Sequence, residues 1–228
     1  MFDWERNWRG NGIIFVVLFI VAMLIYGDQP KVGATPAELV SFYHGDRTRI
    51  LIAAVIFGFA VLTLLWFAAA LTGVLRDAGK GGWGTAATTA STALGTIFFV
   101  IVTMNTALAY TIVSSGNIRF AAGLNDLSWV LMVLALFPAA MLIMAGSFGL
   151  WRAGLISSAW FSAGVAAMVV LLLGTTTWAG DGFWAVDGAY ARFIAPIVGL
   201  AWIAVVSGFL MRSYSAVSTP DRAAVPAA

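Results

Sequence analysis

Six long apolar segments, separated by short polar breaks, constrain the possible folds of this chain more than any other feature. Each segment has at least the roughly 17 residues that a helix needs to cross a bilayer. Backbone groups in lipid must be hydrogen-bonded within their own segment, so such segments form helices. The sequence therefore predicts an all-α, polytopic integral membrane protein with six transmembrane helices, at about residues 11–27, 50–74, 85–114, 127–150, 154–178 and 193–212.

Composition supports a membrane protein and excludes several chemistries. Of the 228 residues, 61% are hydrophobic and 10% are charged, whereas a soluble domain has about 25% charged residues. The chain has no cysteine, which excludes disulfides, thiolate chemistry and cysteine-bound metals. Its formal net charge of +2 is too small and too dispersed to predict binding of nucleic acid.

The two ends of the chain have different predicted roles. Arg6 and Arg9 precede the first apolar segment as they would in a signal peptide, but no small-residue cleavage pattern lies at the right distance. We therefore predict a retained first helix. With the N terminus inside, seven of the Lys and Arg residues are cytoplasmic and five are outside, which favours that orientation. Six helices then place both termini in the cytoplasm, and residues 213–228 are predicted to form a disordered cytoplasmic tail.

The loop after the first segment predicts a short amphipathic helix, at about residues 36–44. Thr35, Pro36 and Glu38 form a capping box, with the threonine as N-cap, the proline at N1 and the glutamate at N3. The apolar side chains that follow fall on one side of such a helix: Leu39, Val40, Phe42 and Tyr43. We expect this helix to lie at the outer membrane surface, in the first outer loop.

His44, the only histidine, ends this predicted helix. A metal site needs several ligands. Asp46, Asp126, Asp181 and Asp187 could supply oxygen ligands, but no spacing motif unites them. The sequence therefore favours a surface histidine at a helix C-terminus, and predicts neither a metal site nor a cofactor.

The interiors of the predicted spans contain no ionisable side chain. This absence argues against proton relays, voltage sensors and ion-coupled pumps, which need such groups within the membrane. The candidate ligand or gating residues are therefore Asn105, as an amide that either fastens helices or lines a cavity, and Pro138 and Pro196, which interrupt the fourth and sixth helices. No catalytic residue is predicted.

The predicted outer loops contain a second polar group. Asn125 and Asp126 are expected to cap the fourth span at its start, and Arg119 follows the third span. Three further candidates precede the sixth span, namely Asp187, Tyr190 and Arg192, with Asp181 just before them. These side chains could form ion pairs that hold the loops together, or they could line a shallow polar mouth.

Small residues recur at spacings of four on two predicted helices, as Ala87, Ser91 and Gly95 and as Ala159, Ala163 and Ala167. Such faces let helices approach closely in lipid. We expect packing within one bundle, and a homo-oligomer or another membrane-protein partner remains an alternative.

A resemblance to known proteins is carried by three stretches: TPAELVSFY at 35–43 with Arg47 and Arg49, LLWFAAAL at 64–71, and Leu75-Arg76. They cover about the first third of the chain. The pattern resembles uncharacterised multi-helix membrane proteins of bacteria, especially actinobacteria, that are grouped as a domain of unknown function. The resemblance implies a bacterial plasma-membrane protein of about six helices, and it implies no catalytic or binding residues.

Three functions remain open from the sequence. The favoured one is a non-enzymatic plasma-membrane protein, which is a scaffold or accessory subunit or binds membrane lipids or another apolar molecule in its bundle. The second is a transporter or channel for a small neutral or hydrophobic solute. The third is an enzyme or metal site at the outer loops. A cavity that reaches Asn105 favours the second, and convergence of His44 with carboxylates favours the third.

Overall fold

The computed structural model describes the backbone of residues 8–217 and the side chains of residues 8–212, and within these ranges the chain is almost entirely helical. The prediction of an all-α fold is confirmed. The described chain forms no β-strand, and its β pairing is limited to an isolated bridge between Ala179 and Ala185. The α-helices are α1 (Asn11–Tyr26), α2 (Pro36–Gly45), α3 (Arg47–Asp77), α4 (Gly81–Ala107), α5 (Ile118–Leu134), α6 (Leu136–Arg152), α7 (Ser158–Gly174) and α8 (Ala195–Val217).

Among the described residues, four helical segments are long and apolar enough to cross a membrane, and two strongly apolar helices are too short to meet the same length criterion. The four are Arg47–Asp77, Gly81–Ser115, Ile118–Arg152 and Tyr190–Arg212. The shorter ones are α1, with 16 residues, and α7, with 17 residues. At a rise of about 1.5 Å per residue they are roughly 24 and 26 Å long.

The helices form a closed bundle. α1 packs along α3, α3 along α4, α4 along α6 and α6 along α7, while α8 lies between α7 and α1. The largest buried side chains include Phe15 of α1, Phe67 and Leu71 of α3, and Leu142 and Ile143 of α6. The predicted sixth span continues as helix to Val217, so the described part of the predicted tail is helical, and residues 218–228 lie outside the described residues.

Small residues set the distance between α3 and α4. Ala87, Ser91 and Gly95 are all buried, and a Cβ at Gly95 would lie 3.1 Å from the Val61 side chain. The expected packing within one bundle is therefore confirmed for this face. It is wrong for Ala159 and Ala163 on α7, because these residues are exposed.

Both predicted proline interruptions coincide with breaks in regular α-helix. Pro138 has no N–H to donate to the carbonyl of Leu134, and α5 ends at Leu134 while α6 begins at Leu136. Pro196 is the second residue of α8 and follows a π-helical turn at Tyr190–Ile194. A second π-helical turn, Leu108–Ile112, continues α4. The helical segment that contains the predicted fourth span begins before residue 127, at Ile118.

The capping box before α2 is confirmed. The Thr35 hydroxyl accepts a hydrogen bond from the Glu38 N–H at 3.4 Å, and the Glu38 carboxylate accepts from the Thr35 N–H at 2.7 Å. Hydrogen bonds from the Thr35 backbone and then its side chain lower the pKa of the Glu38 carboxyl. All the groups that form this cap lie within four residues of each other in the sequence.

The apolar face of α2 covers one end of the bundle, called here the α2 end. Leu39, Phe42 and Tyr43 are buried, whereas Val40 is 39% exposed. The buried three pack with residues from the start of α3, the end of α4 and the start of α5, among them Ile50, Leu108 and Ala121. The short helix predicted from the sequence is therefore a packed cap on the bundle.

We predict that Gly164→Ala destabilises the protein by about 1–3 kcal/mol, the usual cost of overpacking. A Cβ at this position would lie 2.1 Å from the Ser147 hydroxyl and would displace the hydrogen bond from Trp202 to that hydroxyl. Thermal unfolding in mild detergent measures the effect. Gly123→Ala on α5, where a Cβ meets no atom within 4 Å, is the matched control and should not lower the melting temperature.

Candidate functional site

A group of uncharged polar side chains lies beneath α2, and we call it the polar cluster. It consists of Gln29 from the turn after α1, Tyr43 from α2, Asn105 from α4, and Asn125 and Ser128 from α5. Tyr43 and Asn125 have no exposed surface, and Asn105 and Ser128 are also buried. Four separate chain segments therefore meet through hydrogen bonds at one buried point.

Asn125 is the centre of the polar cluster. Its Oδ1 accepts from the Tyr43 hydroxyl at 2.9 Å and from Gln29 Nε2 at 3.3 Å. Its Nδ2 lies 3.2 Å from the carbonyl oxygens of both Pro30 and Lys31. The expectation that Asn125 caps a helix is wrong, because the N-cap of α5 is Asn117, whose Oδ1 accepts from the Phe120 N–H. Asn125 lies inside α5 and binds the loop between α1 and α2.

Tyr43 connects the two buried asparagines. Its hydroxyl oxygen lies 2.9 Å from Asn125 Oδ1 and 3.2 Å from Asn105 Oδ1. A phenol has one hydrogen and donates to one acceptor at a time, and Asn125 is the closer. The contact with Asn105 becomes a full hydrogen bond when that amide is turned to present its nitrogen to Tyr43. The Asn105 oxygen is then free for another donor.

Burial raises the pKa of the Tyr43 phenol well above its usual value, so this hydroxyl stays protonated. The other four members of the polar cluster do not ionise. The arrangement can donate and accept hydrogen bonds, but it supplies no general acid or base for catalysis near neutral pH.

A small cavity adjoins the polar cluster between α1, α3 and α4, and we call it the inner cavity. Its volume is about 50 Å³, above the roughly 10–15 Å³ needed to hold one water. Its polar lining residues are Tyr26, Gln29, Asn105 and Thr106, and the remaining lining is apolar. The Tyr26 hydroxyl is buried and has no hydrogen-bond partner among the described residues.

Three phenylalanines close the bundle on the side of the inner cavity that faces away from α2. The ring centroids of Phe19 and Phe57 are 5.0 Å apart, those of Phe57 and Phe98 are 5.5 Å apart, and those of Phe19 and Phe98 are 5.9 Å apart. All three side chains are buried. The inner cavity therefore has an aromatic floor, which separates it from the opposite end of the bundle.

A larger apolar opening lies on the other side of α1, and we call it the lateral groove. It lies between α1, α5 and the start of α8, and has a volume of about 270 Å³. Gln29 and Arg192 are at its polar end, and its lining includes Pro196. Apolar residues that line it and are also exposed on the bundle surface are Ile20, Leu24, Phe193 and Ile197.

The lateral groove results from the way α1 and α8 diverge. Near the start of α1, a Cβ at Gly12 would lie 2.9 Å from the Ser207 side chain, and the Ser207 hydroxyl donates to the Arg9 carbonyl at 2.7 Å. The absence of a side chain at Gly12 permits this close contact between α1 and α8 near the start of α1. At the α2 end larger side chains line the space between the helices, and the groove opens there.

Charged side chains hold the loop between α1 and α2 from outside the polar cluster. Arg192 forms an ion pair with Asp28. Asp187 accepts from the Val32 N–H at 3.0 Å, and Asp126 accepts from the Gly33 N–H at 3.2 Å. Three of the candidates from the outer loops thus meet around one loop, where they bind its backbone and its aspartate.

The other candidates from the outer loops lie apart from that group. The Tyr190 hydroxyl donates to the Val170 carbonyl of α7 at 2.9 Å. Asp46 pairs with Arg49 at 2.6 Å, and His44, Arg119 and Asp181 are exposed. Within the described part of the chain, no three His, Asp or Glu residues lie close enough together to hold a metal ion.

Sequence reasoning selected Asn105 but missed most of its surroundings. Gln29 and Tyr26 carried no signal, because a polar residue after a span and a tyrosine at its end are ordinary interfacial features. Tyr43 was placed correctly on the apolar face of α2, and a hydroxyl on a face that packs against a bundle needs a buried partner. That requirement was the one available signal for the polar cluster.

We predict that Asn125→Leu destabilises the protein by roughly 2–4 kcal/mol, since it removes the nearer acceptor of the Tyr43 hydroxyl and the donor to the Lys31 carbonyl, and leaves the Pro30 carbonyl with the Trp129 indole alone. Asn105→Leu removes a single contact and should cost about 1 kcal/mol. Chemical unfolding of both variants in the same detergent compares them. An equal or larger loss for Asn105→Leu would contradict the central position of Asn125.

A comparison of the chain with protein-family models, curated proteins and solved structures gives no match. Its function is therefore argued from the polar cluster, the inner cavity and the lateral groove.

Proposed function

We propose that this chain is a multi-pass membrane protein without enzymatic activity, and that it binds a lipid-like molecule in the lateral groove. The observation that carries the proposal is the shape and lining of that groove. It is apolar over most of its length, has polar groups at one end, and is lined by residues exposed on the side of the bundle. A site of this kind suits a molecule with an apolar chain and a polar end.

The polar end of the lateral groove contains no unbalanced charge. Arg192 lines the groove, but its guanidinium is paired with Asp28 and lies 5.9 Å from the centre of the Trp129 ring. A ligand with a net charge would have to compete with this pair. The groove therefore favours an uncharged amphiphile over a ligand that carries a net charge.

The membrane arrangement that accompanies this proposal has six spans. The described α1 and α7 are shorter than a bilayer core of about 30 Å, but α1 packs against the long α3, and α7 packs against α6, which is the second half of the long segment Ile118–Arg152. Mismatch of a few ångströms is accommodated by local thinning of the bilayer. The proposed location is a bacterial plasma membrane with both termini cytoplasmic, from the family resemblance and the Lys and Arg bias.

Passage of a small neutral solute is a second candidate function, because the inner cavity reaches Asn105. The three phenylalanines that pack together beneath the cavity would have to separate for a solute to pass. Pro196 lines the lateral groove, whereas Pro138 lines neither opening. A gating role is therefore better supported for Pro196 than for Pro138.

A scaffold or accessory role is compatible with the lipid-binding proposal. α7 exposes apolar side chains on most of its surface, as expected for a helix in contact with lipid or with another membrane helix. We do not propose an enzyme or metal site at the loops, since His44 lies exposed and apart from the carboxylates that would have to join it.

Native mass spectrometry from mild detergent tests the proposed function. The wild-type protein should retain a lipid-like adduct, and Ile197→Trp should lower the retained fraction at least about fivefold, in line with the roughly 1 kcal/mol or more that crowding a packed apolar site costs. Ile197 lines the lateral groove and is 61% exposed. Ile52→Trp is the matched control, because Ile52 is 50% exposed on α3 and does not line the groove. Equal retention by the two variants would contradict the proposal.

A further inference from the structure

Tyr26 is positioned between the two openings at the α2 end. It is the last residue of α1 and lines both the inner cavity and the lateral groove. Its ring packs edge-on against Phe42 at 5.4 Å, so the ring is held in place. Its hydroxyl is buried near the Tyr43 hydroxyl, whose proton is donated to Asn125, and it makes no hydrogen bond with a described residue. A buried hydroxyl without a partner destabilises a protein, and such a group needs an explanation.

Two further polar groups in the inner cavity have unused hydrogen-bonding capacity. Tyr43 engages one end of the Asn105 amide, and the other end has no partner among the described residues. The Thr106 hydroxyl also makes no hydrogen bond with a described residue, unlike Thr85, Thr89, Thr92 and Thr96 in the same helix, which bond to backbone carbonyls. A hydroxyl, an amide and a second hydroxyl therefore face one small space.

The lining of the inner cavity also limits what can fill it. It includes no Asp, Glu, Lys, Arg or His, and an ionised group buried without a partner is strongly disfavoured. The volume of about 50 Å³ is a few times the roughly 10–15 Å³ that holds one water, which is room for a group of only a few non-hydrogen atoms. A phosphate with its ester groups is too large and carries charge. A hydroxyl or a primary amide is small enough and neutral.

The two openings are adjacent. They share Met23, Tyr26, Gln29 and Met132 as lining residues. The two methionines thus form part of the partition, and methionine is unbranched and adapts its shape to its neighbours. A chain lying in the lateral groove can therefore present its head to the inner cavity past these side chains.

We propose that the inner cavity is the headgroup site for the molecule whose chain occupies the lateral groove. The ligand is a single-chain amphiphile with an uncharged hydrogen-bonding head, such as a long-chain alcohol or amide. Tyr26, Asn105 and Thr106 bind that head. This inference rests on the proposed function, and it adds the chemical class of the ligand and the residue that selects it.

The test uses the full-length protein in bilayer nanodiscs and two probes with the same chain, oleyl alcohol and oleyl phosphate. The wild-type protein should bind the alcohol at least about tenfold more tightly than the phosphate. Tyr26→Phe should weaken alcohol binding by about 3–10-fold, the effect of one neutral hydrogen bond, and should leave phosphate binding unchanged. Tyr110→Phe is the control, because Tyr110 is 58% exposed and away from both openings.

Melting temperatures show whether each variant folds, so that a loss of binding is distinguished from a loss of folding. Removing an unpartnered buried hydroxyl should raise the melting temperature of the ligand-free protein, so Tyr26→Phe should be folded and slightly more stable. Tyr43→Phe, which removes a hydroxyl that is in use, should lower the melting temperature. A destabilised Tyr26→Phe would mean that the hydroxyl has a partner within the protein and would overturn the inference.

The outcomes separate the two proposals. If Ile197→Trp abolishes binding but the phosphate binds as well as the alcohol, or Tyr26→Phe binds the alcohol like wild type, the headgroup inference is wrong and the lateral groove remains a lipid site. Unaltered binding by Tyr26→Phe is also the result expected if a water alone fills the inner cavity. If neither probe binds, or Ile197→Trp has no effect on either, the proposed function fails as well.

Discussion

The hydrogen bonds between Asn125 and the loop after α1 are the interaction on which the α2 end of the bundle depends. The carbonyls of Pro30 and Lys31 lie next to an apolar bundle, where an unpaired carbonyl is costly. The Asn125 amide binds both, and the Trp129 indole also donates to Pro30 at 2.9 Å. The loop that joins α1 to α2 is thereby fixed to α5.

Charged and neutral polar groups are separated at this end of the protein. Asp28, Asp187 and Arg192 lie at the periphery, where water reaches them, and the Asp28 side chain is 80% exposed. The amides of Asn105 and Asn125 and the Tyr43 hydroxyl lie inside. The physical reason is that burying a charge costs far more than burying an amide whose hydrogen bonds are made. An interior of amides and hydroxyls can recognise a neutral partner and has little capacity to move protons.

Close packing and open space alternate around the ring of helices. Glycines at 12, 84, 146 and 164 leave no room for a Cβ, so the helices that meet there are in tight contact. The α2 ends of α1, α5 and α8 meet through longer side chains, and the lateral groove lies between them. The phenylalanines at 19, 57 and 98 fill the bundle on the side of the inner cavity that faces away from α2. The inner cavity and the lateral groove therefore both lie at the α2 end, beside the polar cluster, whereas a further opening of about 240 Å³ lies between α6, α7 and α8.

The sequence by itself determined the helical character of this chain, the apolar segments, the capping box that starts α2 and the breaks at the two prolines. These features are local, because they depend on hydrophobicity over a helix length and on groups within four residues of each other. The tertiary structure alone decided that Gln29, Tyr43, Asn105 and Asn125 meet, since they are separated by up to 96 residues. It also decided that Tyr26 has a buried hydroxyl without a partner. Hydrogen bonds between distant segments depend on how the helices pack, and apolar patterning in lipid does not specify that packing.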